Sequence, residues 1–477
     1  MRPILLLLFG CSDSGFMNSA DLGVDPGGSQ DIELARTLIE GGQIPSREHF
    51  TVEGIYSEHE LPLEGAACEA LLCPRAAAAW TEPADGSAPG YLLQIGFGTA
   101  ITTASFERAP LRLAVTIDVS GSMEDNLDFV KRGLRMMVDQ LDAADEMAIV
   151  VYGARGEVLQ GLTTMDADGK STMNEVIDDI HSEGSTNMEE GMSLAYGLLA
   201  PEAGAVGVED RLVLVTDAQP NTGSTSMDSF LGMARYYAAA GIGITVLGVD
   251  LNIGSELQDA LAKTPGGNAY FLADDESLDH VFKDEFDYMM SPLAYDLEVS
   301  VTPGPDLGLG EGLGMPVDAA AGVSAFGAST LFLSSRDGGM GLTLEGAEVE
   351  VGAPLADLQL SWRPVDGAAQ SDTLSVIWQG GSAYVGAAGE ADDLGVYTLS
   401  VLTDAWRALI AGAEFCEGTT TDAEAHAVVG LAAERLGAVG VELDDPPIRA
   451  LGGLITKLDQ NLARGAEACV PADAYLY

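Results

Sequence analysis

Basic residues are scarce in this chain. Its 477 residues include 22 Lys and Arg against 74 Asp and Glu, which gives a formal net charge of −52. This balance argues against a nucleic-acid partner, because the phosphate backbone would be repelled instead of releasing counterions to a basic surface. An acidic composition of this kind also suits a salty environment, where screening shortens the range of self-repulsion.

Histidine is also scarce, and the motifs of common enzyme active sites are missing. None of the five His residues stands at a predicted strand end beside a candidate nucleophile, and the sequence contains neither a G-x-S-x-G elbow nor a phosphate-binding loop. We therefore expect a protein that is not an enzyme. An exported hydrolase that uses a loop serine is an alternative, although Ser120 and Ser122 lack an evident base.

Cysteine is infrequent, with five residues, of which Cys11 stands apart near the amino terminus. The other four make an even number, as expected for disulfides in an oxidising compartment, and their spacing favours two local pairs. The predicted pairs are Cys68–Cys73 and Cys416–Cys469, although the sequence alone permits three connectivities. A zinc site at the first pair is less favoured, because it would need His49 or His59 at irregular spacing.

Long hydrophobic runs are absent, so the sequence predicts no transmembrane helix. The short apolar run at residues 4–9 fits the apolar part of a secretory signal, and residues 1–10 are predicted to be a signal peptide. The stretch "LFGC" resembles the lipobox of bacterial lipoproteins, which implies cleavage before Cys11 and a lipid on its side chain. Ser12 after the cysteine implies, by the same resemblance, the outer membrane. An ordinary signal peptide with an incidental cysteine is the alternative.

The rest of the chain is long enough for two to four compact units and, at 47% hydrophobic residues, apolar enough to build their cores. Residues 11–30 are rich in Ser, Gly and Asp, which predicts a flexible tether. An amino-terminal module is predicted over residues 31–108, with a helix in "DIELARTLIEGG", a strand in "YLLQIGFGTAITTASF" and a loop at about residues 75–90.

Residues 109–290 alternate strands with helices. Short apolar runs such as "LRLAVTI" and "RLVLVT" are typical of parallel strands buried on both faces, and "NLDFVKRGLRMMVDQL" carries apolar residues at helical spacing. Repeated β-α-β units predict an α/β fold with a doubly wound, mostly parallel sheet.

Two further regions are predicted after this domain. Residues 291–390 alternate in β fashion between Gly-rich turns, as in an antiparallel β-sandwich, and residues 391–477 return to helical periodicity. The two ends of a doubly wound domain lie close together. We therefore also predict that the strand at residues 91–105 joins the later strands in one sandwich, into which the α/β domain is inserted.

Three loops predicted at the carboxyl edge of the parallel sheet carry polar side chains. Asp118, Ser120 and Ser122 follow "LAVTI", Thr186 lies in "GSTNMEEGM", and Asp217 follows "LVLVT". In open α/β sheets, ligands bind where such loops converge. Because these side chains offer only hard oxygen donors, without His or Cys, they match what Mg²⁺ prefers.

Each of these groups also has an ordinary structural explanation. Ser122 with Asp125 could cap a helix, and "TNME", which begins at Thr186, fits the T-x-x-E capping box. Asp217 could form an Asx-turn before Pro220. The three groups together favour a binding site, because unrelated helix caps and turns would not be expected to bring only oxygen donors to the ends of three strands.

The motifs "DVSGS", the Thr of "GSTN" and the Asp of "VTDAQPN" resemble, in order and spacing, the metal-ion-dependent adhesion site of von Willebrand factor type A domains. The resemblance implies that Ser120, Ser122 and Thr186 bind a divalent cation directly, while Asp118 and Asp217 complete or orient its shell. Mg²⁺ is the expected ion, with Mn²⁺ and Ca²⁺ as alternatives. The flanking stretches "ELARTLIEGGQIPSREHFTVEGI" and "LTDAWRALIAGAEF" are similar to segments of bacterial envelope proteins that carry such a domain.

The resemblance implies a metal-dependent adhesion or scaffold protein at the cell envelope, whose cation binds an Asp or Glu of a protein partner. Glu124, Asp125 and Asp250 are candidates for the rim of the site, although solvated surface acids are the more ordinary assignment. A partner would need a basic patch around its carboxylate, or salt, to approach so acidic a protein. A type A domain that serves an intracellular ATPase or chelatase is a further alternative, which the export signal disfavours.

Overall fold

The computed structural model describes residues 22–470, apart from residues 64, 66, 218–219, 250–254, 314–323, 366 and 382–393. The predicted signal peptide, the lipidation site Cys11 and the candidate rim residue Asp250 lie outside the described residues. Within these ranges, no helix is both long and apolar enough to cross a membrane.

The described part of the chain contains strands and helices with the following bounds. The strands are β1 (Gly23–Pro26), β2 (Cys73–Thr81), β3 (Gly90–Gly98), β4 (Leu111–Asp118), β5 (Glu146–Tyr152), β6 (Gly156–Thr164), β7 (Glu209–Thr216), β8 (Ile242–Val249), β9 (Gly267–Leu272), β10 (Pro292–Pro303), β11 (Gly308–Leu313), β12 (Ser324–Ser334), β13 (Met340–Glu345), β14 (Pro354–Pro364) and β15 (Gln370–Ile377). The helices are α1 (Glu33–Glu40), α2 (Val52–Ser57), α3 (Leu127–Gln140), α4 (Ala167–Asp178), α5 (Met188–Leu199), α6 (Met227–Ala238), α7 (Ser255–Ala262), α8 (Asp275–Asp279), α9 (Phe286–Met289), α10 (Leu394–Glu417), α11 (Asp422–Glu442) and α12 (Pro446–Leu462).

Six strands form a mostly parallel sheet in the order β6-β5-β4-β7-β8-β9, in which β6 pairs antiparallel with β5. Every residue of β4, β8 and β9 is buried, because helices cover both faces of the sheet. Side chains of α3, α4 and α8 belong to the core on one face, and those of α5, α6 and α7 to the core on the other. The predicted doubly wound α/β fold is confirmed.

Two antiparallel sheets form a sandwich, with the strand orders β1-β12-β10-β14-β15 and β11-β13-β3-β2. β3 precedes the α/β domain in sequence and pairs with β13, which follows that domain, so that Ile95 lies opposite Met340. The prediction that the α/β domain is inserted into one sandwich is therefore confirmed. Aromatic rings contribute to the core between the sheets, with the Tyr91 and Trp378 ring centroids 5.0 Å apart.

The third region consists of α10, α11 and α12, and side chains of α1 and α2 share its core. Leu92 of β3 and Ala79 of β2 belong to the same core, so the helices cover the outer face of the sheet that β2 and β3 form. The predicted disulfides Cys68–Cys73 and Cys416–Cys469 are both confirmed. The second one joins the end of α10 to the segment after α12, which fixes the ends of the helical region.

Two segments differ from the predictions. The loop predicted at about residues 75–90 is wrong in its first part, because Cys73–Thr81 forms β2 along the whole of β3. Alanine-rich sequence has low strand propensity, so pairing with β3 determines this conformation. The predicted tether contains β1, since Leu22 and Val24 are buried in the sandwich core.

The inserted domain is held against the sandwich at its edge strand β9. Gln30 N–H donates to Ala269 O and Ala269 N–H donates to Gly28 O, both at 3.0 Å, so the chain around β1 continues the sheet beyond β9. The fully buried Arg211 of β7 donates to Gly266 O at 2.9 Å and stacks 5.3 Å from the Phe332 ring centroid of β12. These contacts cover the edge of the sheet and fix the domain relative to the sandwich.

A buried carboxylate lies in the same junction. Asp25 of β1 is 6% exposed, and burial raises its pKa to about 7, with a hydrogen bond from Ser334 opposing the effect. Glu285 and Glu60 raise the pKa further, whereas Arg336 lowers it. The carboxylate lines a small cavity together with Tyr270 and His280. Ionisation of Asp25 at neutral pH therefore works against the folded state.

Asp25→Asn should make the protein more stable, and the gain should be larger at pH 8 than at pH 5. Because the folded state favours protonated Asp25, its contribution is fully present below the unfolded pKa near 3.8 and is lost as pH rises to about 7. At pH 8 the free energy of unfolding should rise by at least about 1.4 kcal/mol, the equivalent of one pKa unit. Urea unfolding at both pH values, with the exposed-acid variant Asp128→Asn as control, measures this. Equal gains at pH 5 and pH 8 would contradict the assignment.

Candidate metal centre

The loop after β4 carries three of the predicted ligands and contacts a fourth. Ser120 N–H donates to Asp118 Oδ1 at 2.8 Å, and the Oγ atoms of Ser120 and Ser122 lie 3.1 Å apart. Ser122 Oγ donates to Asp217 Oδ1 at 3.0 Å. Two segments that are far apart in sequence thus supply one continuous group of oxygen atoms.

The register of the sheet brings the two carboxylates together. β4 pairs in parallel with β7, with Ile117 opposite Val215, so Asp118 and Asp217 leave the sheet at the same edge. On its other side β4 pairs with β5, and Tyr152 at the end of β5 lies opposite Asp118. This convergence of strand ends is the arrangement that open α/β sheets use for ligand sites.

The loop that carries Thr186 is attached to the loop after β4 through backbone hydrogen bonds. Gly121 N–H donates to Gly184 O at 3.2 Å, and Glu183 N–H donates to Val119 O at 2.5 Å. Gly184 has a φ of +73°, a conformation that glycine adopts without strain, and the turn there leads directly to Thr186. All five predicted ligands are therefore located on adjoining segments at the carboxyl ends of the parallel strands.

Helix capping does not account for these side chains. The amino-terminal cap of α5 is Asn187, whose side chain accepts from Glu190 N–H, so the capping box predicted at Thr186 is wrong by one residue. The Ser122 hydroxyl is directed to Ser120 and Asp217. The Thr186 side chain therefore does not cap α5.

The base of this group is buried and its outer part is open. Asp118 and Asp217 are fully buried, and Ser120 and Thr186 are at most 2% exposed, whereas Ser122 is exposed. Burial raises the pKa of Asp118, and the interactions that oppose this effect come from hydroxyl and backbone groups of Ser120, Thr216 and Tyr152. A cation at this position would compensate a charge that burial disfavours.

The donor set fits an oxygen-coordinated divalent cation. Two carboxylates and three hydroxyls are hard donors, and sites that hold Mg²⁺ use few carboxylates and keep water in the remaining positions. In the described ranges, no cluster of three or more His, Cys, Asp or Glu side chains could hold a metal ion. The hydroxyl groups would therefore have to provide most of the protein ligands at this centre.

Three further residues support the predicted ligands. Thr216 Oγ1 donates to Asp118 Oδ2 at 3.1 Å, and the buried Tyr152 lies opposite Asp118 in the pairing of β4 with β5. Asn221 binds Thr186 through its side chain and its backbone. The sequence gives a weak signal for Thr216 and Asn221, which flank Asp217 in "VTDAQPN", and none for Tyr152 until strand pairing is known. The candidate rim residues Glu124 and Asp125 are exposed.

Comparison with known families identifies this part of the chain. The model of the family described as "von Willebrand factor type A domain" matches residues 113–284, a range that includes all five predicted ligands. Residues 113–284 form a von Willebrand factor type A domain. Domains of this type typically mediate protein–protein interaction or adhesion, and they often bind a divalent metal.

Two curated proteins are similar to part of this chain. The "Uncharacterized protein YfbK" of Escherichia coli is 27% identical over 196 residues, which are 40% of this chain and 34% of that protein. The "E3 ubiquitin-protein ligase WAV3" of Arabidopsis thaliana is 30% identical over 171 residues, 34% of this chain and 23% of that protein. The matched parts thus span about a third or less of these relatives.

A solved structure is similar over most of the chain. The "von Willebrand factor type A from Catenulispora acidiphila" covers 83% of this chain and 97% of its own, at 13% identity and a TM-score of 0.51. At this identity the likeness concerns the fold alone. It extends well beyond the type A domain, into the regions that flank it.

Asp118→Asn should stabilise the cation-free protein. The substitution removes a buried charge, and Thr216 can turn its hydroxyl to accept from the new amide, so the free energy of unfolding should rise by the order of 1 kcal/mol. Urea unfolding in EDTA measures this, with Asp128→Asn on the exposed face of α3 as the matched control. A loss of stability in Asp118→Asn would mean that the ionised carboxylate is itself a structural requirement.

Proposed function

We propose that this protein is a metal-dependent adhesion or scaffold protein, in which a divalent cation at the type A domain binds an Asp or Glu of a protein partner. The observation that carries the proposal is the convergence of three chain segments that carry five oxygen-bearing side chains, of which four are buried and Ser122 is exposed. Ser120, Ser122 and Thr186 would be direct ligands, with Asp118 and Asp217 completing or orienting the shell. Mg²⁺ is the first choice of ion.

The bound cation would supply a positive centre that a partner carboxylate can occupy as a further ligand. The residues of the chain have a different task, which is to hold the hydroxyls in place and exclude water from the base of the site. Thr216 likewise holds the Asp118 carboxylate, to whose Oδ2 its hydroxyl donates. Because the ligand set is fixed before binding, little conformational entropy has to be lost when a partner arrives.

The rim favours a partner with basic residues around its carboxylate. Glu124, Asp125 and Glu183 are exposed acids on the loops of this face, and Arg155 is an exposed basic residue there. An acidic rim repels a second acidic surface at low salt and attracts a basic one. We therefore propose that affinity comes from the cation and that selection of the partner comes from this charge pattern.

The same proposal places the protein at the bacterial cell envelope, exported and lipid-anchored through Cys11. Its support is the amino-terminal sequence together with the two disulfides, which are typical of oxidising compartments. We also propose that the protein is not an enzyme. Ser120 and Ser122 hydrogen bond to each other and Ser122 donates to Asp217, and these partners do not include a histidine that could act as a base.

Cation binding is tested directly with Mn²⁺, using equilibrium dialysis and the thermal midpoint of unfolding. The wild type should bind one Mn²⁺ at this site and unfold at a higher temperature with Mn²⁺ than with EDTA. Asp118→Asn should lose both effects, whereas Asp128→Asn should retain them. Binding that survives in Asp118→Asn would place the ion elsewhere and refute the proposal.

The role of the partner carboxylate is tested in a second experiment. Peptides with one Asp flanked by Lys should bind the Mn²⁺-loaded protein, and binding should be lost in EDTA, in Asp118→Asn, or when the Asp is replaced by Asn. The same peptide with flanking Glu in place of Lys should bind more weakly at low salt. Binding that is indifferent to EDTA would show a surface unrelated to the cation.

A further inference from the structure

Asn221 makes an unusual number of contacts with one of the proposed cation ligands. Thr186 N–H donates to Asn221 Oδ1 at 2.9 Å, and Asn221 Nδ2 donates to Thr186 Oγ1 at 3.4 Å, the longest bond of the set. Asn221 N–H also donates to Thr186 O at 3.1 Å, and Thr222 N–H donates to the same oxygen at 3.2 Å. The backbone and side chain of Thr186 are thus both bound to the loop after β7.

The orientation of the Asn221 amide follows from these partners. A backbone N–H can only donate, so the atom that faces Thr186 N must be the oxygen. The Thr222 hydroxyl donates to the same Oδ1 at 3.1 Å, which agrees with this assignment. Nδ2 therefore faces the Thr186 hydroxyl as a donor, and one lone pair of Oγ1 accepts from it while another remains for a cation.

This contact connects two parts of the site. Asn221 belongs to the loop that begins at Asp217, whereas Thr186 precedes α5 and does not cap it, since Asn187 does. A second link joins the same segments, because Ser224 N–H donates to Glu189 Oε2 at 2.8 Å. The loop that supplies one carboxylate thus also holds the hydroxyl supplied by another loop.

Ordinary turn stabilisation would not require this arrangement. Asn221 is exposed, so its side chain adds little apolar burial, and both polar atoms of its amide are directed at Thr186. We infer that Asn221 is a positioning residue, which holds the Thr186 hydroxyl toward the candidate cation site and thereby sets the cation affinity. This inference rests on the proposed function. Residues that hydrogen bond to metal ligands and orient them typically change metal affinity by about 10- to 100-fold when they are mutated.

Asn221→Ala tests the inference. Mn²⁺ should bind about 10-fold or more weakly than to the wild type, while the protein should remain folded in EDTA with a thermal midpoint lower by a few degrees, because the buried Thr186 N–H loses its side-chain acceptor. Asn174→Ala is the matched control: its Nδ2 donates to Lys170 O within α4, away from the site, and its Mn²⁺ affinity should equal that of the wild type. In EDTA, amide hydrogen exchange at Thr186 should be faster in Asn221→Ala and unchanged in Asn174→Ala.

A double variant separates positioning from a general effect on the loop. If Asn221 acts through Thr186, then adding Asn221→Ala to Thr186→Ala should weaken Mn²⁺ binding by less than about 2-fold further. Wild-type affinity in Asn221→Ala, or an equally large effect of this substitution in the Thr186→Ala background, would overturn the inference and leave the proposed function standing. A wild type that binds no Mn²⁺ would overturn the proposed function and this inference with it.

Discussion

Parallel pairing of β4 with β5 and β7 is the constraint on which the candidate centre depends. Side chains of a strand alternate between its faces, so a slip of one residue in this pairing would turn the neighbouring side chains away from one another. The observed register places Asp118 and Asp217 at the ends of adjacent strands and Tyr152 beside Asp118. Burial of β4 on both faces stabilises that register, because all eight of its residues are buried.

The sandwich and its contacts with β9 also hold the type A domain in place. Chain segments on both sides of the domain belong to one pair of sheets, and the chain around β1 continues the sheet at β9. Arg211 brings a buried positive charge to the aromatic ring of Phe332, which makes the contact between the two bodies specific. The candidate metal centre lies at the opposite end of β4 from Leu111, where the chain enters the sheet.

The sequence predicted those elements whose hydrophobic pattern matches their burial in the fold. The run "LRLAVTI" became a buried parallel strand, and "DVSGS" with Thr186 and Asp217 met at one edge, because hydrophobic periodicity and strand order determine both. β2 could not be predicted in this way, since "CPRAAAAWT" has weak strand preference and takes its conformation from pairing with β3. β1 was missed for a similar reason, because only two apolar residues in a polar segment, Leu22 and Val24, mark its burial.

The sequence predicted which residues form the candidate site, but not which neighbouring residues contact them. The T-x-x-E pattern indicated a cap at Thr186, yet Asn187 caps α5, because the pattern does not distinguish two adjacent residues that can both accept from a helix terminus. The position of Tyr152 opposite Asp118 and the contacts of Asn221 with Thr186 join segments that are distant in the chain. Such contacts follow from tertiary structure, and the sequence around each residue contains little that would indicate them.

Insertion of one domain into another also imposes an order on assembly. β3 can pair with β2 as soon as both have been synthesised, but its other edge stays open until β13 emerges, after the whole type A domain. Closing so long a loop is slow for an unstructured chain, and the folded type A domain shortens it by bringing its own ends together. The sandwich is therefore expected to fold after the type A domain, and until then the open edge of β3 is the segment most exposed to mispairing with another chain.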